Sequence, residues 1–205
     1  MGKLKNLFRA LSALFGNDAH MPSPDRTFLE NVLLPELANL LREHDRVLFV
    51  GLDYYTTSYG AFFNKQEFHT IDVVCWRRVY SRNGIHKTQD LKTLTNAYPP
   101  NYFQLIIVNG IFGFGIDDSA GIAKSLKEAS QCLRPGGYIL VGWNPGRKSL
   151  PLSFDFIVPN LVRCAPLKKY GGVIDFITHQ GDPHQYLFFT KSTNEEPQGK
   201  SYHLH

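Results

Sequence analysis

The chain has 205 residues, 43% of them hydrophobic and 20% charged, with a formal net charge of +4. That length suits one domain with a full core and short additions, and the mild charge, carried partly by isolated pairs such as Arg77-Arg78, Arg147-Lys148 and Lys168-Lys169, reads as solvated surface and argues against nucleic acid as the main partner. Cys75, Cys132 and Cys164 are odd in number, widely spaced and without a Cys-x-x-Cys pair, which argues against a disulfide framework or zinc site and for reduced, mostly buried thiols of a cytoplasmic protein; no apolar run is long enough to span a bilayer.

Residues 1–24 read as an arm and linker. Leu4, Leu7, Phe8, Leu11, Leu14 and Phe15 fall on one helical stripe, with Lys3, Lys5 and Arg9 beside it. A basic amphipathic helix over residues 3–15 suits an anionic membrane surface, which would make the protein membrane-peripheral. It equally suits docking on the domain or on the second subunit of a homodimer. Residues 25–43 are helical by pattern, with Phe28, Leu29, Val32, Leu33, Leu37, Leu40 and Leu41 recurring and Pro35 expected to kink or split the helix.

The domain is expected over residues 25–191. Arg46–Gly51 reads as a buried strand ending in glycine, and Phe68–Asp72 as a second strand ending in an acid. Asp72 lies about twenty residues beyond the glycine, the spacing at which a carboxylate accepts hydrogen bonds from a bound ribose. An ordinary strand-end acid is the alternative. Val73–Ser81 reads as a helix on which Trp76 and Tyr80 share a face. Gly84–Thr88 is a short strand, and Leu91–Ala97 a helix that Asp90 is placed to cap.

Tyr102–Asn144 is the most regular stretch. Phe103–Val108 is a short β-branched run, Asp117, Asp118 and Ser119 are N-cap candidates, and Ala120–Leu133 is helical, with Ile122, Leu126, Ala129 and Leu133 on one face. Arg134-Pro135-Gly136-Gly137 stops that helix before a second apolar strand, Tyr138–Val141. Two buried strands joined through a helix imply a parallel sheet covered on both faces, with any ligand at the carboxyl ends, near Asn109 and Trp143-Asn144. A helix over part of Ser153–Val162 follows. Gly172–Thr178 and Gln185–Lys191 then flank the turn Gln180–Pro183 as a terminal hairpin, and residues 192–205 form a polar tail.

This cassette, with its Leu-Arg-Pro-Gly-Gly before an apolar strand, resembles the second half of a class I S-adenosylmethionine-dependent methyltransferase, and the resemblance extends over about residues 25–191. It implies a Rossmann-like α/β sandwich of three layers: a seven-stranded, mostly parallel sheet with one antiparallel strand from the C-terminal hairpin. It also implies S-adenosylmethionine as cofactor. Gly51 matches the family's glycine loop. Phe49 stands where the family has an acid, and Asp53 and Tyr55 stand at its later glycines. Asp53, tolerant of a left-handed backbone, is placed to keep the turn and meet the cofactor's ammonium group; capping the next helix is its other reading. By the same resemblance Asp90 meets the adenine amino group, Leu91 packs on the ring, and Asn109 borders the site.

Methyl transfer asks the protein mainly to position two reactants. The expected function is therefore methyl transfer from S-adenosylmethionine to a small-molecule or lipid-linked acceptor. Asn109-Gly110 replaces an Asn-Pro-Pro-Tyr-type motif, against a nucleobase or amide nitrogen as acceptor. His86, Asp117 and His179 are candidate bases with none singled out, and His179 and His184 lack a third ligand for a metal. A methyltransferase-like binding or partner module without catalysis stays open. A nicotinamide-dependent oxidoreductase is disfavoured by the hairpin and the altered loop.

Overall fold

The computed structural model describes residues 23–145, 147, 158, 160–178 and 181–192. The amphipathic segment 3–15, the polar tail beyond 192 and His179 lie outside them. The chain enters through a helical segment in three pieces: α1 (Pro24–Phe28), a π turn (Leu29–Leu33) and α2 (Leu34–Leu40). The kink expected at Pro35 takes this wide form. Proline cannot donate to the carbonyl one turn back and its ring collides there, so the turn before it opens and Leu34 N–H reaches Leu29 O instead. The helix ends at Leu40, three residues earlier than expected, because Leu41 turns extended.

Among the described residues eight strands form one sheet: β1 (Arg46–Val50), β2 (Glu67–Asp72), β3 (Ile85–Thr88), β4 (Phe103–Asn109), β5 (Leu133–Trp143), β6 (Leu161–Arg163), β7 (Val173–Ile177) and β8 (Pro183–Lys191). The order is β3-β2-β1-β4-β5-β8. β6 and β7 lie end to end on the outer edge of β8, pairing residues 189–191 and 183–187 respectively. Both run antiparallel to β8, as does β5, so β8 alone opposes the common direction. The expected single antiparallel strand is present. The sheet has eight strands rather than seven because two short strands share that outer edge. Leu161–Arg163, expected at the end of a helix, is β6 instead; Asn160 at φ 68° turns the chain there, and the β-branched Val162 pairs with Thr190 of β8. The preceding residues 148–157 and 159 lie outside the described ones.

Strand residues alternate between two apolar layers. Leu48, Val50, Ile106, Val108, Ile139 and Val141 face α3 (Ser119–Cys132), which contributes Ile122, Leu126, Ala129 and Cys132. Val47, Phe49, Leu105, Ile107 and Leu140 face Leu29, Leu33, Leu34 and Leu37 of the entering helices. This two-sided burial is why the central strands read as continuous apolar runs.

Two expected helices take tighter forms. Cys75–Tyr80 and Leu91–Asn96 are 3-10 turns, the second interrupted at Thr93. Six residues cannot recover the cost of nucleating an α-helix, and the β-branched Thr93 and Thr95 weaken that helix further. Trp76 and Tyr80 still meet edge to face at 5.9 Å. Leu133, expected on α3, leaves it: helix ends at Cys132, Leu133 pairs with Phe103, and residues 134–137 bulge out before Tyr138 rejoins opposite Leu105. A Cβ at Gly137 would lie 2.9 Å from the carbonyl oxygens of both Arg134 and Gln104, so glycine closes this bulge. Cys132 is buried and Cys164 half-buried, whereas Cys75, expected with them, is exposed on its short turn.

Candidate functional site

The strand order reverses between β1 and β4, and at that crevice the carboxyl ends come level. Val50 pairs with Ile71 and Val108, Asp72 with Thr88, and Asn109 with Gly142. Parallel sheets bind ligands at such a switch point. A cavity of about 530 Å³ opens there, within the range of cofactor sites. Gly51, Asp53, Asp72, Asp90, Leu91 and Asn109 all line it, so the structure brings together the six residues expected to bind the cofactor.

Gly51 has φ 82°, and a Cβ there would lie 2.3 Å from Ile111 Cδ1. The positive φ is what favours glycine here, while the Ile111 side-chain tip packs over the space a Cβ would take. The turn that follows is tied to β2. Leu52 N–H donates to Asp72 Oδ2 at 2.8 Å, and Val74 N–H to Oδ1 at 2.7 Å. Asp72 is 5% exposed, with one lone pair on each oxygen held by the backbone.

Asp53 is extended (φ −146°, ψ 172°), which corrects the expectation of a left-handed turn residue; Gly51 already supplies the reversal. Asp53 accepts from Tyr54 N–H at 2.8 Å and caps the turn Tyr54–Thr56, while Thr56 Oγ1 accepts from Asp53 N–H. Asp90 likewise caps Leu91–Asn96, accepting from Lys92 N–H at 2.8 Å, with Lys92 Nζ 3.5 Å from its other oxygen. Gln89 donates its amide to Thr93 O and Thr93 Oγ1, which fixes its orientation and turns Oε1 away from Thr93.

Several lining residues were missed by sequence reasoning. Arg77, read there as surface, lines the cavity: its Nη1 lies 3.4 Å from Asp72 Oδ2 and its Nη2 4.0 Å from Asp53 Oδ2. A dipeptide of arginines carries no signal of which one turns inward. Tyr55 also lines the site, under the Arg26 guanidinium at 3.8 Å, and burial raises its hydroxyl pKa against the pull of Arg26. Phe114 forms part of the wall with Arg147 stacked on it at 4.1 Å. Asn109 Oδ1 is enclosed and has no hydrogen-bond partner.

The two candidate bases among the described residues, His86 and Asp117, do not line the cavity. His86 bonds Thr70 Oγ1 at 3.0 Å, away from the cavity, and Asp117 accepts from Gly115 N–H at 3.2 Å. Among the described residues, no histidine lines the cavity. His184 lies at the start of β8. Asn144 donates its amide to Pro183 O at 2.8 Å, so Asn144 Oδ1 faces His184 and accepts from Nδ1 at 3.3 Å. Burial pushes this imidazole down to about 4, with Asp25 opposing from 3.9 Å. No group of three metal-ligating side chains occurs among the described residues. No helix among them is long and apolar enough to cross a membrane.

No family model and no curated protein sequence matches the chain. Solved structures do match. The N-methyltransferase NodS from Bradyrhizobium japonicum, in complex with S-adenosyl-L-homocysteine, superposes with a TM-score of 0.61 at 14% identity, covering 89% of this chain and 96% of NodS. The [4+2]-cyclase SpnF superposes at 0.59 and 13% identity, covering 94% and 96%. TrmN from Thermus thermophilus superposes at 0.56 and 15% identity, covering 78% of this chain, which spans 47% of TrmN. The chain has the class I S-adenosylmethionine-dependent methyltransferase fold.

Proposed function

We propose that the cavity binds S-adenosylmethionine and that the protein transfers its methyl group to a small-molecule or lipid-linked acceptor. The observation that carries this reading is the switch-point cavity itself, where a buried strand-end carboxylate, two further carboxylates and a Cβ-free approach at Gly51 converge. These residues fit an adenosyl amino acid. Asp72 Oδ1, which accepts only from Val74 N–H, and Oδ2, which Arg77 holds by a long bond, face ribose hydroxyls, and Asp53 offers a carboxylate to an ammonium group. Ile71, Val73 and Leu91 supply apolar surface for a purine, with Asp90 beside them.

When bound, the cofactor supplies an electrophilic methyl group on a sulfonium. The chain's own work is to orient the two reactants and exclude water. Among the described residues no imidazole lines the wall, and sulfur or carboxylate nucleophiles, which need no base, are the acceptors favoured over hydroxyls. Titration calorimetry with S-adenosylmethionine, S-adenosyl-L-homocysteine and nicotinamide dinucleotides tests the binding step. Micromolar binding of the first two alone is expected; preference for the dinucleotides would overturn the reading.

A module that binds without catalysis is the second reading. It is favoured by the protein donors already held by Asp53, Asp72 and Asp90, and by SpnF, a cyclase in name on the same fold. Single-turnover transfer from methyl-labelled cofactor separates the two. The methyltransferase-like unit is proposed over residues 25–191, flanked by the arm 1–24 and the tail 192–205, in a cytoplasmic protein. Residues 3–15 are proposed as a peripheral membrane contact. Co-sedimentation with anionic vesicles at low salt, lost in a chain starting at Pro22, tests this; docking on a second subunit would instead lower stability on truncation.

A further inference from the structure

We infer that Arg77 is a specificity-determining residue of this cavity: with Asp72 it recognises a ribose hydroxyl, and with Asp53 and Asp72 together it rejects a phosphorylated ribose. The inference rests on the adenosyl-binding reading above and adds a residue to it.

The geometry is that of an unfinished clamp. Arg77 stands on the short turn immediately after β2, and its guanidinium is suspended between two carboxylates. Arg77 Nη1 donates one long hydrogen bond of 3.4 Å to Asp72 Oδ2 and Nη2 lies 4.0 Å from Asp53 Oδ2, both beyond the 2.7–2.9 Å of a short charge-assisted bond. Arg77 Nε is enclosed and has no partner. Asp72, by contrast, cannot move toward the arginine, since Leu52 and Val74 N–H groups hold its two oxygens at 2.8 and 2.7 Å. A fixed acceptor and a donor that reaches it only by one long hydrogen bond suit a ligand atom that accepts from the one and donates to the other. A hydroxyl does both; a phosphate only accepts. A phosphate at this point would gain Arg77 but stand against Asp72 and Asp53, and that like-charge contact selects against it.

The test titrates S-adenosyl-L-homocysteine and its 2′-deoxy and 3′-deoxy adenosyl analogues into the full chain and into Arg77→Met and Arg77→Lys. Wild type is expected to lose about tenfold in affinity for the analogue lacking the bridged hydroxyl. Arg77→Met is expected to bind the parent ligand about tenfold more weakly, while the penalty for removing that hydroxyl falls below about twofold. Arg77→Lys should keep part of both effects. Equal or tighter binding of the parent ligand by Arg77→Met overturns the inference, because Arg77 would then compete with ligand for Asp72. An undiminished deoxygenation penalty in that variant overturns it as well. If Arg77→Met loses its near-ultraviolet dichroism, wild type alone decides, by comparison of adenosine with adenosine 2′- and 3′-phosphates. At least about tenfold weaker binding of the phosphates supports the clamp, and tighter binding of either overturns it. A wild-type chain that binds no S-adenosyl-L-homocysteine removes the parent reading itself, an outcome separate from all of these.

Discussion

The two edges of the parallel sheet carry similar chemistry in opposite states of completion. At the amino edge, Glu67 Oε1 accepts from His69 at 2.6 Å, from Arg46 at 3.2 Å and from Tyr102 at 3.4 Å. The His69 ring is boxed by Tyr98, Tyr102 and Phe103, with Arg46 over Tyr102 at 4.3 Å. The hydrogen bond from His69 lowers the Glu67 pKa, and burial lowers that of His69. At the carboxyl edge Arg77 is held between two carboxylates by one long hydrogen bond of 3.4 Å, its Nε has no partner, and an enclosed amide oxygen has no donor. Unpaired enclosed polar groups are costly in a native protein. The closed network is structure; the open one is where a ligand completes the set.

The sharpest way to break the contrast is Asp72→Ala. It strands the Leu52 and Val74 N–H groups, so we expect a loss of about 4 kcal/mol in stability besides at least about tenfold in cofactor affinity, read by urea unfolding and calorimetry. The two backbone bonds make Asp72 a structural residue as well as one placed to bind ligand. Acid is expected to act next. His184 takes a proton near pH 6.5 when unfolded but only at about 4 when folded, so its contribution is intact above 6.5 and lost as pH falls toward 4. The loss is on the order of 3 kcal/mol, and His184→Gln should flatten the urea midpoint over that window, leaving the smaller slope due to His69 and His86. Gly51→Ala should cost about 2 kcal/mol, from its positive φ and the contact with Ile111, and weaken the cofactor. Glu67→Gln should cost only about 1 kcal/mol, since its side chain is more than a third exposed, and leave affinity for S-adenosyl-L-homocysteine unchanged. A change in that affinity would mean that the two edges are coupled.

The sequence made the strands legible because β-branched apolar runs such as Phe103–Val108 have few other uses. Asp72 was legible from spacing, Asp118 from its place before a helical stripe, and the reversal of the last strand from the turn ahead of it. What escaped depends on three dimensions. Nothing in Cys75–Tyr80 says that a six-residue segment winds as a 3-10 turn, and it is that winding that turns Arg77 inward. For Asp53 residue preference allows either a left-handed turn or a cap, and only the structure decides for the cap. The open state of the clamp is a matter of ångströms between groups that are 5 and 24 positions apart.

The split outer edge of β8 bears on how the molecule behaves in a crowd. A nine-residue strand with bare N–H and C=O groups along one side is a template for pairing with a neighbouring molecule. Here that side is covered piecewise, by three residues of β6 and five of β7, each with its own break in direction. The opposite margin is β3, four residues long and bearing Lys87. Neither margin presents a long, flat ladder, so chains meeting edge to edge find only short, interrupted registers. The fold thereby guards against fibrillar association while leaving Val162, Ile177 and Ile85 exposed at its margins.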